Sequence, residues 1–150
     1  MTVSPEQLSA LVTYCTGFAR TMLEDAGDFY PFGATLAKDG TLGAVGGHNG
    51  EERPNPQEIY ALLGSSFAAG AAARELSAAA LAANVNIPAE YSPMFPDGLR
   101  VHLEAEGFSR FVYLPYRITW KGFLKKKKIV EYGELFEVEI APHFFRASPG

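Results

Sequence analysis

The sequence predicts an α+β fold in which two helices pack on an antiparallel sheet of five to six strands. Three observations lead to this class. Two segments begin with residues that start helices, an Asp-Gly pair marks a tight hairpin, and apolar residues alternate with polar ones over long stretches. The predicted order is α-β-β-α-β-β-β, with one more strand if the last segment also pairs.

Both helices are predicted from their first turns. Ser4-Pro5-Glu6-Gln7 combines a capping serine, a proline and a glutamine that can complete a capping box. Apolar residues then recur at helical spacing, and Gly27 predicts the end of the helix. Asn55-Pro56-Gln57-Glu58 repeats the pattern, so a second helix is predicted to end near Arg74 or Glu75.

The first strands follow from a turn and from alternation. Lys38-Asp39-Gly40-Thr41 predicts a hairpin, because Asp-Gly supplies the positive φ of tight turns. Over Leu76–Ile87 the alanines favour a helix by propensity, whereas the alternation that includes Val85 and Ile87 favours a strand. We predict a strand over this segment.

The clearest alternation lies between Leu99 and Glu106. It puts Arg100, His102 and Glu104 on one face, which the pattern predicts to be exposed to water, and apolar residues on the other. One sheet face is therefore predicted to pack on the helices. Pro115 has no N–H to give a neighbouring strand, so it predicts an edge, a bulge or a strand end. Residues 142–150 are predicted to form a tail.

Length and composition predict a single cytoplasmic domain. A chain of 150 residues with 47% hydrophobic and 20% charged residues fits one globular unit. A formal net charge of −4 disfavours nucleic acid and anionic lipid as general partners. No secretion signal or membrane-spanning run occurs, and the one cysteine, Cys15, excludes a disulfide within the chain.

Few histidine and carboxylate residues are spaced in a way that predicts a catalytic or metal-binding site. His48 lies in a Gly-rich segment that could bind a metal or a phosphate, or could simply be a loop. His102 and Glu104 could act as an acid and a base, or could occupy a solvated strand face. No histidine or cysteine spacing predicts a metal site, no pattern predicts a cofactor, and no catalytic residue is assigned.

Aromatic and basic residues supply candidates for binding. Tyr30 and Tyr116 each adjoin a proline and are predicted to rim a pocket, with Arg117 beside Tyr116. The anion-binding candidates form one run: Lys125, Lys126, Lys127 and Lys128. This run could bind an acidic partner or phosphates, or could be a charged edge that deters aggregation.

Three short motifs carry a resemblance. Phe29-Tyr30-Pro31-Phe32-Gly33, then Asp39-Gly40, then Leu114-Pro115-Tyr116-Arg117 resemble a group of small uncharacterised bacterial proteins. This resemblance implies a stand-alone bacterial domain and no particular activity. The element order is also similar to that of profilin-like and roadblock-type domains, and this likeness of fold implies a binding module.

The missing catalytic patterns favour a non-enzymatic binding or protein-interaction module, either a homodimer or a partner of another protein. The alternative is a small-ligand-binding protein or an enzyme with a pocket near Tyr30, His48, His102 and Tyr116. A third hypothesis is that the lysine run binds nucleic acid.

Overall fold

The computed structural model describes residues 3–46 and 53–146, and it confirms two helices on an antiparallel sheet in the predicted order. The final segment forms two strands, so the sheet has seven strands within these described ranges. The helices are α1 (Pro5–Ala26) and α2 (Pro56–Ala72). The strands are β1 (Phe32–Ala37), β2 (Leu42–Gly46), β3 (Leu76–Asn86), β4 (Asp97–Ala105), β5 (Phe108–Lys121), β6 (Lys127–Tyr132) and β7 (Phe136–Glu139).

Local signals set the helix ends as the sequence indicates. The hydroxyl of Ser4 accepts a hydrogen bond from the Gln7 amide, and the Gln7 side chain accepts one from the Ser4 amide, which completes the capping box. Gly27 ends α1 with a positive φ of 77°. The Asn55 side chain caps α2 by accepting from the Gln57 amide.

The sheet runs in the order β2-β1-β3-β4-β5-β6, with β7 also paired to β5. Every pairing is antiparallel. The segment in which helix and strand compete is β3, and it lies near the middle of the sheet between β1 and β4. Tertiary pairing therefore overrides the helical propensity of its alanines.

The two helices cover opposite faces of the sheet. The buried face of α1 packs on Ala78, Ala80 and Ala82 of β3, whereas α2 packs on Ala79 and Leu81 of the same strand. Adjacent strand residues point to opposite faces, so these two sets define two cores. The prediction that both helices share one face is wrong.

Small residues let α2 approach the sheet closely. The ring of Phe67 lies over Gly33 of β1, where an added Cβ would come within 2.6 Å of the Phe67 ring and 2.7 Å of the Ala80 carbonyl oxygen. Only glycine fits there without displacing the helix. The Ala-rich composition of β3 is consistent with the same close packing on both faces.

The prediction that Arg100, His102 and Glu104 lie on a water-exposed face is also wrong. Their side of the sheet is covered by α2 and by residues 142–146, so His102 is 2% exposed and Glu104 0%. Alternation identifies two faces of a strand, but it does not show which polar side chains a later segment will cover.

Strands β6 and β7 lie end to end along the outer edge of β5. Tyr132 of β6 is opposite Tyr116, and Phe136 of β7 is opposite Tyr113. The interruption falls beside Pro115, whose carbonyl accepts a hydrogen bond from the Gly133 amide. Pro115 thus marks an irregularity of the edge, as its missing N–H predicts.

The tail predicted over 142–150 is anchored in the part that the structure describes. Residues 142–146 form neither helix nor strand, yet Phe144 is 7% exposed and packs edge-to-face on Phe67 of α2. No helix in the described ranges is both long and apolar enough to cross a membrane.

Candidate functional site

A buried histidine–carboxylate pair lies where β4 meets the C-terminal segment. His102 and Glu104 are two residues apart on β4 and therefore point to the same face of the sheet. The His102 Nε2–H donates to Glu104 Oε2 at 2.7 Å. The imidazole stacks on Phe144 at 4.4 Å between ring centroids and meets the His143 ring edge-on at 5.2 Å.

Glu104 also binds three successive backbone amides. The N–H groups of His143, Phe144 and Phe145 donate to its carboxylate at 2.8 to 3.0 Å. Burial favours a raised pKa for Glu104. The hydrogen bonds from His102 and from the three amides outweigh that effect and lower the pKa to about 2. The carboxylate is therefore ionised and fully hydrogen-bonded at neutral pH.

This geometry assigns the pair a structural role. A general base needs a basic lone pair that can reach a substrate proton. Both oxygens of Glu104 already accept protein hydrogen bonds, and its low pKa makes it a weak base. The pair joins residues 143–145 to the sheet.

The residues predicted to share a pocket do not converge. Tyr116 packs on the α1 face, where its hydroxyl donates to Asn84 Oδ1 at 2.6 Å. Burial, together with the nearby carboxylates of Asp97 and Asp28, raises its pKa. His102 lies on the opposite, α2 face. The fourth candidate, His48, lies outside the described residues.

Tyr30 lines a groove whose described lining residues include neither Tyr116 nor His102. It precedes β1, is half exposed, and lines the groove with Met22, Phe29 and Pro31. We call this the Tyr30 groove. Arg100 also lines it.

Arg100 is the residue that sequence reasoning missed. Its guanidinium lies 4.4 Å from the Phe111 ring centroid and 5.5 Å from that of Tyr60, and it donates to the Tyr60 hydroxyl at 3.0 Å. Arg100 and Tyr60 also line a second groove, which runs along α2 past His102. The alternation of β4 does place Arg100 beside His102, but the aromatic residues around it come from α2 and β5.

The lysine run lies on a hairpin that extends past the end of β4. Residues 117–121 of β5 pair with β6 alone, and the turn between these strands exposes Phe123 by 98% and Leu124 by 93%. Lys125, Lys126 and Lys127 are exposed, and Lys128 is partly buried. Arg117, another sequence candidate, pairs with Glu131 across the hairpin at 2.6 Å. The Arg117 candidate therefore lies on the hairpin and not in a pocket with His102.

In the described residues, neither the cysteine nor a cluster of metal-ligating side chains provides another candidate site. Cys15 is buried in the α1 core, and burial raises the pKa of its thiol to about 12. Across residues 3–46 and 53–146, no three His, Cys, Asp or Glu side chains are grouped as metal ligands.

No protein-family model, no curated protein and no solved structure matches this chain.

Proposed function

We propose that the protein is a non-enzymatic interaction module that pairs with a second copy of itself through the β6–β7 edge. The observation that carries this proposal is the distribution of charge along that edge. Its β6 end is lysine-rich and its β7 end is glutamate-rich, so the edge is complementary to itself when two copies run antiparallel.

The outer side of β6 and β7 is an unpaired sheet edge in the described part of the chain. Strands β6 and β7 use one side to pair with β5, and within the described ranges no strand pairs with the other side. An unpaired strand presents a row of N–H and C=O groups that can extend a sheet into another molecule. Two such edges related by a two-fold axis would form one continuous antiparallel sheet.

The charges on the edge favour antiparallel over parallel pairing of two copies. Glu137 and Glu139 lie opposite Val112 and Arg110, which places them on the α1 face of the sheet. Lys128 lies on the same face, with its ammonium near Gly27 at the end of α1. In a two-fold pair, the lysine end of one edge meets the glutamate end of the other, whereas parallel pairing puts like charges together.

The exposed hairpin tip supports the same arrangement. Phe123 and Leu124 are almost wholly solvent-exposed, and Trp120 beside them is 62% exposed. Contiguous exposed apolar side chains commonly mark an interaction surface. In the antiparallel pair, the tip of each copy lies at the β7 end of its partner, and we expect Phe123 and Leu124 to lose exposure there.

Charge reversal tests the proposal directly. Analytical ultracentrifugation from about 1 μM to about 100 μM should show a monomer–dimer equilibrium that weakens with salt. The double variant K127E/K128E should weaken the dimer at least tenfold, as should E137K/E139K. A mixture of the two variants should form a heterodimer, because each supplies the charge that the other has lost.

Matched controls separate the edge from net charge. Lys38→Glu and Glu75→Lys change exposed charges away from the edge and should leave the dimer unchanged. Replacing Phe123 and Leu124 with serine should weaken the dimer without lowering the free energy of unfolding, because both side chains are already in water. A monomer across the whole concentration range would exclude self-association, and failure of the charge-reversed mixture to pair would exclude this edge.

A further inference from the structure

Beyond self-association, we propose that the Tyr30 groove binds a small organic carboxylate, with its head group on Arg100 and its apolar body along the groove. This site is distinct from the β6–β7 edge. Arg100 comes from β4, and the walls of the groove come from α1, α2 and the segment before β1.

Arg100 is a cation with donors to spare. A guanidinium has five N–H donors. Two tyrosines occupy part of this set: Nη2 donates to the Tyr60 hydroxyl, and the Tyr113 hydroxyl also interacts with the guanidinium. Nε is buried without a partner. Arg100 takes no part in the His102–Glu104 or the Arg117–Glu131 ion pair.

The surroundings of Arg100 strengthen an anion contact. The rings of Tyr60 and Phe111 contact the guanidinium and hold it in a fixed orientation. A partly buried arginine favours carboxylates, because its planar fork matches both carboxylate oxygens. Removing such a group from bulk water also strengthens the ionic hydrogen bond.

The rest of the groove suits an apolar body. Tyr30, Pro31, Met22 and Phe29 contribute apolar surface to the wall. Among the described residues that line the groove, Asp28 carries the carboxylate, and its Oδ1 already accepts from Asn84 Nδ2 and from the Phe29 amide. The opposite charges of Asp28 and Arg100 therefore orient the ligand with its anionic group toward Arg100.

Binding to the groove can be measured by titrating the full chain with 3-phenylpropionate while recording amide ¹H–¹⁵N NMR spectra. Peaks of Tyr30 and Arg100 should shift together and saturate. The uncharged amide, 3-phenylpropionamide, should bind about tenfold more weakly, because it lacks the charge-assisted bond to arginine. Equal affinity for the acid and the amide, or no saturable shift, would overturn the proposal.

Variants assign the effect to the groove. Arg100→Gln should weaken binding of 3-phenylpropionate about tenfold, whereas Arg110→Gln, which alters an arginine stacked on Phe108, should not. Tyr30→Ala removes a half-exposed wall residue and should weaken the acid and the amide alike, which keeps the test decisive if Arg100→Gln unfolds. Unchanged affinity in Tyr30→Ala would contradict the groove as the site.

N-acetylphenylalanine distinguishes two sources of the same carboxylate chemistry. It carries the carboxylate of a peptide end, whereas 3-phenylpropionate represents a free acid. Tighter binding of one acid than of the other, with both weakened about tenfold in Arg100→Gln, supports the carboxylate site and identifies its ligand type.

Discussion

Replacing Glu104 with glutamine should destabilise the fold by an amount that depends on pH. The pKa of Glu104 falls from its ordinary value of 4.5 to about 2 in the folded chain. A pKa shift of one unit corresponds to about 1.4 kcal/mol, so the ionised carboxylate contributes about 3 kcal/mol to the free energy of unfolding at neutral pH. Glutamine keeps one acceptor oxygen, but it loses the charge and directs an N–H₂ group at donors.

The sign of the pH dependence follows from the lowered pKa. The contribution of Glu104 is complete above its unfolded pKa near 4.5, and it is lost as pH falls toward about 2. The stability difference between the wild type and Glu104→Gln should therefore be about 3 kcal/mol at pH 7 and should shrink across that acidic window.

Urea unfolding followed by far-ultraviolet circular dichroism, at several pH values, measures this difference. Glu106→Gln is the matched control, since Glu106 is exposed in the turn after β4 and should change stability little. A Glu104→Gln difference below about 1 kcal/mol at pH 7, or one that stays constant with pH, would refute the reasoning. Limited proteolysis should also show earlier cleavage near residues 143–145 in this variant, because the carboxylate holds their amides.

Three further substitutions or probes test the packing. Gly33→Ala should cost about 1 to 3 kcal/mol in urea unfolding, because the added methyl overlaps the Phe67 ring, and a neutral result would show that α2 moves away freely. Cys15 should react with a disulfide reagent at least about a hundredfold faster in urea than in the native state, since burial raises its pKa to about 12. Tyr116→Phe should cost about 1 to 2 kcal/mol by removing the donor to Asn84, and unchanged stability would mean that water replaces this bond.

The elements of the fold could be predicted because their signals are local. The Ser4 cap, the Asp39-Gly40 turn and the alternation of β4 each depend on residues within a few positions of one another. Strand β3 could also be predicted, because the alternation near its end includes the β-branched Val85, which favours a strand although alanines precede it. The interruption at Pro115 follows from the chemistry of that one residue.

The environment of each polar side chain could not be predicted, because it is set by distant segments. Glu104 is buried by amides that lie 39 to 41 positions later in the chain. Arg100 meets Tyr60 across 40 positions. Alternation assigns the side chains of a strand to two faces, but the cover over a face comes from the packing of the whole chain.

The same sequence separation affects the order in which the fold can be completed. Glu104 is made long before the amides of residues 143–145 that it binds, so its carboxylate has no such donors while the intervening β5, β6 and β7 are being synthesised. An ionised carboxylate without partners stays in water, because burying it alone is costly. The α2 side of the sheet should therefore close only after the last of these amides has been made, which makes docking of the C-terminal segment a late step in folding.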